Sequence, residues 1–316
     1  MGNRYEFIAP CHFGLEAVCK REIADLGYEI VKVEDGKVTF AGDMEALVRA
    51  NIFLRTTQRI LLKVAEFKAV TFEELFQNVK KVPWEEYFPS DARFWVTKAT
   101  SVKSKLFSPS DIQSIVKKAM VERMKEHYHI NWFEEDGEDY PVRVIIYKDV
   151  VTIGLDTSGE SLHKRGYRRM VSKAPIEETL AAALIKLTPW NKNRILVDPF
   201  CGSGTFPIEA AMMGVNIAPG MHREFQAQRW ENIVSPKLFA RGFEEAESLV
   251  DLSVEMDIQG YDIDPQIVKA ARENAKRAGV DGLIHFKSSK EVRICYYESS
   301  LRRTSRRKRR SSGVIS

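Results

Sequence analysis

Ile195-Leu196-Val197 is an apolar run that ends in Asp198, and Pro199-Phe200-Cys201-Gly202-Ser203-Gly204 leads from it to Thr205. The pattern reads as a strand, a tight turn and the start of a helix. The two glycines open unusual dihedrals to the turn and let a ligand approach its backbone. The helix that follows offers free N–H groups and a partial positive charge. Such a turn can hold the carboxylate and adenosine end of a cofactor. It is not a phosphate loop, because no Gly-Lys-Ser/Thr follows, and Gly202-x-Gly204 runs into Pro207 instead of completing a dinucleotide spacing. Two glycines alone would suit any strand-to-helix turn; the whole string Asp-Pro-Phe-Cys-Gly-Ser-Gly-Thr is more specific.

A second acidic position follows in Gly260-Tyr261-Asp262-Ile263-Asp264-Pro265. An acid at the end of a second parallel strand can accept hydrogen bonds from both hydroxyls of a ribose. Asp262 is placed for that role, whereas Asp264, just before Pro265, suits a helix N-cap. Cys201 sits inside the cofactor turn and is not read as a nucleophile. His12, His127, His129 and His163 lack metal-ligand spacing, so no metal site is expected. Trp84, Trp95, Trp132 and Trp190 read as core or interface residues.

These residues need a parallel sheet to hold them. Helix Ile176–Leu187, strand Arg194–Asp198, helix Thr205–Met213, strand Asp257–Asp262, helix Pro265–Gly279 and strand Leu283–Phe286 alternate as a doubly wound sheet does. The acidic strand ends, Asp198 and Asp262, are 64 residues apart, too far for one crossover. Residues 214–256 must therefore contain an excursion, with a turn at Asn216–Gly220. Upstream the pattern differs. A strand over 3–10, a helix over Gly14–Gly27, a hairpin about Asp35-Gly36, a helix capped by Asp43 and a strand over Arg59–Phe67 suggest a ferredoxin-like α+β unit. A second α+β block follows over roughly 60–158. It has helices opening at Thr71 and Ser108, a strand over Arg93–Ala99, and a hairpin turning at Lys148-Asp149.

With those elements in place the chain resembles the bacterial THUMP-domain methyltransferases of class I. The resemblance is carried by Phe13–Ala17, by Ala92–Met124 with Ser104-Lys105-Leu106, by Leu162–Arg168 and Ala174-Pro175, and by Asp198–Thr205, Asn216–Gly220 and Gly260–Asp264. It spans residues 3–287. It implies an α/β chain: an N-terminal α+β part, ferredoxin-like (1–59) plus THUMP (60–158), followed by an incomplete doubly wound, Rossmann-like methyltransferase domain (159–287). It implies S-adenosylmethionine over Asp198, Pro199, Phe200, Cys201, Gly202, Ser203, Gly204 and Thr205, with Asp262 and Ile263 at its ribose. The best-known relatives methylate N2 of guanine in large-subunit ribosomal RNA, so RNA is the expected partner. Lys103, Lys105, Lys117 and Lys118 in the THUMP block, and Arg165, Arg168 and Arg169 beside Tyr167, are the candidate RNA contacts.

The family also carries an Asn-Pro-Pro-Tyr motif whose Asn and Pro carbonyl accept hydrogen bonds from the target amine. No Asn-Pro-Pro occurs in this sequence. Beyond Lys287 the text turns to Arg and Ser: residues 288–316 hold nine Lys/Arg against two acids, enough to turn a net negative remainder into an overall +4. That stretch reads as a basic, disordered tail and as the product of a truncation or frameshift, with little methyl transfer expected from the chain alone. A DNA adenine-N6 methyltransferase and a non-catalytic RNA- or cofactor-binding protein are the competing readings. The hydrophobic fraction of 44% and charged fraction of 29% suit a globular chain. No run nears the ~20 apolar residues of a membrane span. The four cysteines show no paired spacing, which points to reduced thiols and the cytoplasm.

Overall fold

The computed structural model describes residues 4–130, 132–168, 175–289, 293–295 and 312–314. The chain divides into two compact units, one comprising Met1–Arg165 and Ala218–Leu249, the other Gly166–Ile217 and Val250–Ser316.

The first unit is built on one seven-stranded sheet whose neighbouring strands are, in order, Glu29–Glu34, Lys37–Gly42, Tyr5–Pro10, Leu61–Lys68, Val150–Asp156, Asp139–Tyr147 and Arg93–Val102. Its N-terminal half runs β1 (Tyr5–Pro10), α1 (Glu16–Asp25), β2 (Glu29–Glu34), β3 (Lys37–Gly42), α2 (Met44–Phe53) and β4 (Leu61–Lys68), which is the ferredoxin-like arrangement. Local signals set most of these boundaries. Asp43 caps α2 by accepting from Ala46 N at 3.0 Å, and Gly27, at φ +91°, follows the C-cap Leu26 of α1, where a left-handed residue is needed. The second half runs α3 (Phe72–Lys80), β5 (Arg93–Val102), α4 (Pro109–Tyr128), β6 (Asp139–Tyr147) and β7 (Val150–Asp156). Thr71 and Ser108 cap the two helices as their positions predict. Here β5 and β6 are parallel, with α4 as the crossover, and β6–β7 is an antiparallel hairpin. Strand β4 belongs to both halves. It pairs with β1 through Leu61 and Leu62 and with β7 along its whole length.

The segment Ala218–Leu249 completes this first unit. Helix α7 (Pro236–Ser248) packs on α2, and Gly242 makes the approach possible, since a Cβ there would lie 2.8–2.9 Å from Val48 and Ile52 side chains. Arg49 of α2 forms a two-pronged ion pair with Glu245 of α7 at 2.8–3.2 Å. Trp230 is fully buried, stacks on Tyr140 at 5.1 Å and donates from Nε1 to the Asp139 carbonyl at 2.8 Å. The expected excursion between the two acidic strands thus exists, and its middle belongs to the unit built on the seven-stranded sheet.

The second unit holds α5 (Glu178–Leu187), β8 (Leu196–Asp198), α6 (Thr205–Gly214), β9 (Ile258–Asp262), α8 (Pro265–Arg277) and β10 (Ile284–Ser288). Its sheet is parallel, in the order β10-β9-β8. Beyond it, β11 (Arg293–Cys295) pairs antiparallel with β12 (Ser312–Val314), and the rest of the basic stretch after Ser289 lies outside the described residues. Among the described residues no helix is long and apolar enough to cross a membrane, and no group of three or more His, Cys, Asp or Glu could hold a metal ion.

Replacing Trp230 by Ala removes a fully buried ring from this core and is expected to destabilise the first unit by about 3–5 kcal/mol. Urea unfolding, read together with amide exchange in β6 and β7, would show it. A change below about 0.5 kcal/mol would mean that Ala218–Leu249 is not integral to that unit.

Candidate functional site

Asp198 ends β8, and the turn after it stays bonded to β9. Cys201 N donates to the Tyr261 carbonyl at 2.7 Å, and Gly202 N donates to Asp262 Oδ2 at 3.1 Å. Gly202 and Gly204 have φ of +53° and +88°, so both lie where side chains are disfavoured. Gly204 has a second reason to be glycine: a Cβ would lie 3.0 Å from Phe286 and 3.1 Å from Ala271. Gly204 N closes the turn on the Cys201 carbonyl at 2.8 Å. Asn274 of α8 donates to the Ser203 carbonyl at 3.2 Å, tying the turn to the next helix.

The two acids are placed as the strand-end argument requires. Asp262 Oδ1 accepts from Asp264 N at 3.0 Å, and Asp264 caps α8 through Gln266 N at 2.8 Å. The ribose candidate and the helix cap are therefore distinct residues, two positions apart. Asp198 Oδ1 accepts from Phe200 N at 3.1 Å. Burial pushes the Asp198 carboxyl above its ordinary value; the Phe200 N–H opposes that, and the Asp262 charge adds to it. Two carboxylates thus sit close enough to repel at the carboxyl ends of neighbouring parallel strands. Burial, with the same two charges, pushes the Cys201 thiol up to about 12, so it stays protonated at neutral pH and is no nucleophile.

The surroundings suit a cationic, hydroxyl-bearing, partly apolar ligand. Asp198 and Asp262 offer only acceptors, matched to an ammonium, a sulfonium and ribose hydroxyls. Phe200 is 86% exposed and Ile263 65% exposed, apolar surfaces left open beside the two acids. Pro199 is exposed beside Phe200, while Ser203 and Thr205 are buried under the turn. Thr179 of α5 is fully buried, and its Oγ1 has no hydrogen-bond partner among the described residues. Its neighbour Glu178 pairs with Arg168 at 3.1 Å, and Arg168 also donates to Thr205 Oγ1 at 2.7 Å, so α5 opens beside the Asp198–Thr205 turn. Sequence reasoning saw the helix but gave Thr179 and Glu178 no role. The available signal was polar residues beginning a run as apolar as Leu180–Leu187.

The arginine cluster has another placement than the sequence suggested. Arg165 is buried, and its guanidinium donates to the carbonyls of Leu162 and Arg55 at 2.5 and 2.6 Å. Arg168 is held by Glu178, Thr205 and the Ile176 carbonyl. Both guanidiniums are thus engaged by groups of the fold. Arg169 and Ala174 lie outside the described residues. Lys103 and Lys105 are exposed on the THUMP block, while Lys117 donates to the Phe94 carbonyl and pairs with Glu135.

The raised Asp198 acid yields a stability prediction. A carboxyl whose folded pKa exceeds its unfolded one destabilises the fold once ionised, fully at neutral pH and not at all below the unfolded value. Asp198→Asn should therefore raise the melting temperature of the ligand-free protein at pH 7, on the order of a few degrees. The gain should shrink as pH falls through the ordinary aspartate range. Calorimetric melts from pH 3 to 8 would test this, and a gain independent of pH would refute it.

Comparison with known proteins agrees with this geometry. The family model for the RlmL ferredoxin-like domain matches residues 6–61, that for the THUMP domain residues 69–156, and that for the RMKL-like methyltransferase domain residues 165–301. The last match runs past residue 287, where the sequence reading placed the end of the family-like stretch. "Putative RNA methyltransferase YpsC" of Bacillus subtilis (strain 168) is 48% identical over 287 residues, 90% of this chain and 74% of the relative. "Ribosomal RNA large subunit methyltransferase K/L" of Desulfotalea psychrophila is 34% identical over 312 residues, 92% of this chain and 42% of the relative. Among solved structures, SMU.472, described as "a putative methyltransferase complexed with SAH", is 41% identical with a TM-score of 0.85, covering 91% of this chain and 76% of that one. A ferredoxin-like domain, a THUMP domain and a Gly-turn flanked by two strand-end acids, in that order along the chain, place this protein in the family of THUMP-domain, S-adenosylmethionine-dependent RNA methyltransferases.

Proposed function

We propose that this chain binds S-adenosylmethionine on the Asp198–Thr205 turn and serves methylation of N2 of a guanine in large-subunit ribosomal RNA. The observation that carries the reading is the juxtaposition of Asp198 and Asp262 across a turn hydrogen-bonded to β9. When bound, the cofactor supplies an electrophilic methyl group on a sulfonium. Asp262 would accept from the ribose hydroxyls, Ile263 and Phe200 would flank the adenosine, and Thr179 Oγ1 and the start of α6 would face the polar amino-acid end. Asp198 would hold positive charge, which fits a carboxyl kept uncomfortable by burial until a cation neutralises it. The THUMP block supports RNA over DNA, with Lys103 and Lys105 as phosphate contacts, and the relative named for the large ribosomal subunit supports the class of RNA. A cytoplasmic setting fits this substrate.

Binding of the cofactor and transfer of its methyl group are separable parts of this reading. Cofactor binding is accordingly tested apart from turnover. Titration calorimetry should show binding of S-adenosylmethionine to the chain and a loss of tenfold or more in Asp262→Ala, on the order of a lost charged hydrogen bond. Equal binding by both proteins would remove Asp262 from the site. Methyl transfer to large-subunit RNA and to duplex DNA, with the modified nucleoside identified by mass, distinguishes guanine-N2 from adenine-N6 chemistry. Tight cofactor binding with transfer to neither substrate would favour a binding protein without catalysis.

A further inference from the structure

Tyr167 and Arg168, ahead of α5, fasten the starts of two helices to each other. Arg168 pairs through Nε with Oε1 of Glu178, the first residue of α5, at 3.1 Å. Its Nη2 donates to the Ile176 carbonyl at 2.8 Å and to Oγ1 of Thr205, the first residue of α6, at 2.7 Å. Tyr167 donates from its hydroxyl to Glu209 Oε1 at 3.1 Å. Thr205 and Glu209 stand four residues apart on α6, so they share one face of that helix, and Tyr167 and Arg168 grip it at both points.

The bond from Arg168 decides which way the Thr205 hydroxyl works. A threonine hydroxyl offers one hydrogen and two lone pairs, and a guanidinium only donates. Arg168 therefore occupies a lone pair of Thr205 Oγ1 and leaves its hydrogen unused. Among the described residues that hydrogen meets no acceptor, although Thr205 is buried. Thr179, beside Glu178 in the first turn of α5, is in the same condition: fully buried, with a hydroxyl that no described residue engages. A buried donor without an acceptor destabilises the fold. Here two of them stand in the first turns of two helices that one side chain clips together. The first turn of α6 adds backbone N–H groups and the positive end of the helix dipole. Such a set matches a ligand group that only accepts, and a carboxylate, with two oxygens and no hydrogen at neutral pH, is that group.

Resting on the cofactor reading above, we infer that Arg168 is a positioning residue that makes the site select its ligand by the carboxylate of the amino-acid end. It turns Thr205 into a donor and holds the first turn of α5 to that of α6, so that the Thr205 and Thr179 hydroxyls are set for that carboxylate before it arrives. Fixing donors in advance lowers the ordering cost of binding. Arg168 acts through these groups, since its own charge is met by Glu178. Lysine cannot replace it: a single ammonium on a flexible stem lacks the planar fork that serves Glu178 from one nitrogen and Thr205 from another.

The test uses the full chain and two probes that differ only in the carboxylate, S-adenosylmethionine and its decarboxylated form, titrated by calorimetry. The unaltered chain should bind the carboxylated probe about tenfold or more tighter than the other. Arg168→Lys should weaken the carboxylated probe about tenfold or more and leave the decarboxylated one within about twofold, so that the preference disappears. Thr205→Val keeps the shape of the side chain and the Arg168–Glu178 pair and removes only the hydroxyl. It should lose the same preference, and it carries the test if Arg168→Lys fails to fold. Asp262→Ala, at the ribose, should weaken both probes alike. Parallel loss of both probes in Arg168→Lys is the mark of a merely structural arginine and overturns the inference, as does a full preference kept by either variant. Equal binding of the two probes by the unaltered chain also overturns it, while the cofactor reading stands. Failure of the unaltered chain to bind S-adenosylmethionine overturns the cofactor reading itself, and the role of Arg168 with it.

Discussion

The hydrogen bonds from Cys201 N to the Tyr261 carbonyl and from Gly202 N to Asp262 are what the candidate site depends on. They carry the β8–β9 pairing past the end of β8 and into the turn. The turn can follow β9 only because Gly202 and Gly204 adopt positive φ, and Gly204 also lets α6, α8 and β10 close in beneath it. The same bonds bring Asp198 beside Asp262, which sets up their mutual repulsion. Two carboxylates are thereby brought together by backbone geometry, before any ligand is considered.

Around that turn a set of buried polar groups does positioning work. Arg168 links Glu178 on α5 to Thr205 at the start of α6, and Tyr167 donates to Glu209 within α6 at 3.1 Å. Asn274 reaches the Ser203 carbonyl from α8. Each helix that borders the turn is therefore fastened by a side chain as well as by packing. A half-buried guanidinium between a carboxylate and a hydroxyl is intolerant of losing either partner, which favours one arrangement over near neighbours.

Features encoded within a few residues were legible in the sequence. The Asp198–Thr205 turn, the split of roles between Asp262 and Asp264, the caps at Asp43, Thr71 and Ser108, and the hairpin at Lys148-Asp149 all follow from local chemistry. Features that depend on what lies across the fold were not. Nothing near Arg165 shows that its guanidinium meets the Arg55 carbonyl, and a basic run with a tyrosine reads as surface until its burial is known. Trp230 gives no local sign that it will stack on Tyr140. The joining of two α+β blocks into one sheet rests on β4 pairing at both of its edges, a choice made by partners distant in sequence.

The chain path has a consequence for synthesis. Helix α2 exposes Val48 and Ile52 toward α7, yet α7 lies in a segment made after the chain has already supplied the first part of the second unit. Roughly eighty residues separate Arg165 from Leu249, so at ribosomal speeds of about 5–20 residues per second the first unit waits about 4–16 s for its closing helix. During that interval an apolar helix face stands open on an otherwise complete sheet, a surface on which a nascent-chain chaperone could act. The same path means that residues 1–165, expressed as a separate fragment, would keep that face uncovered permanently.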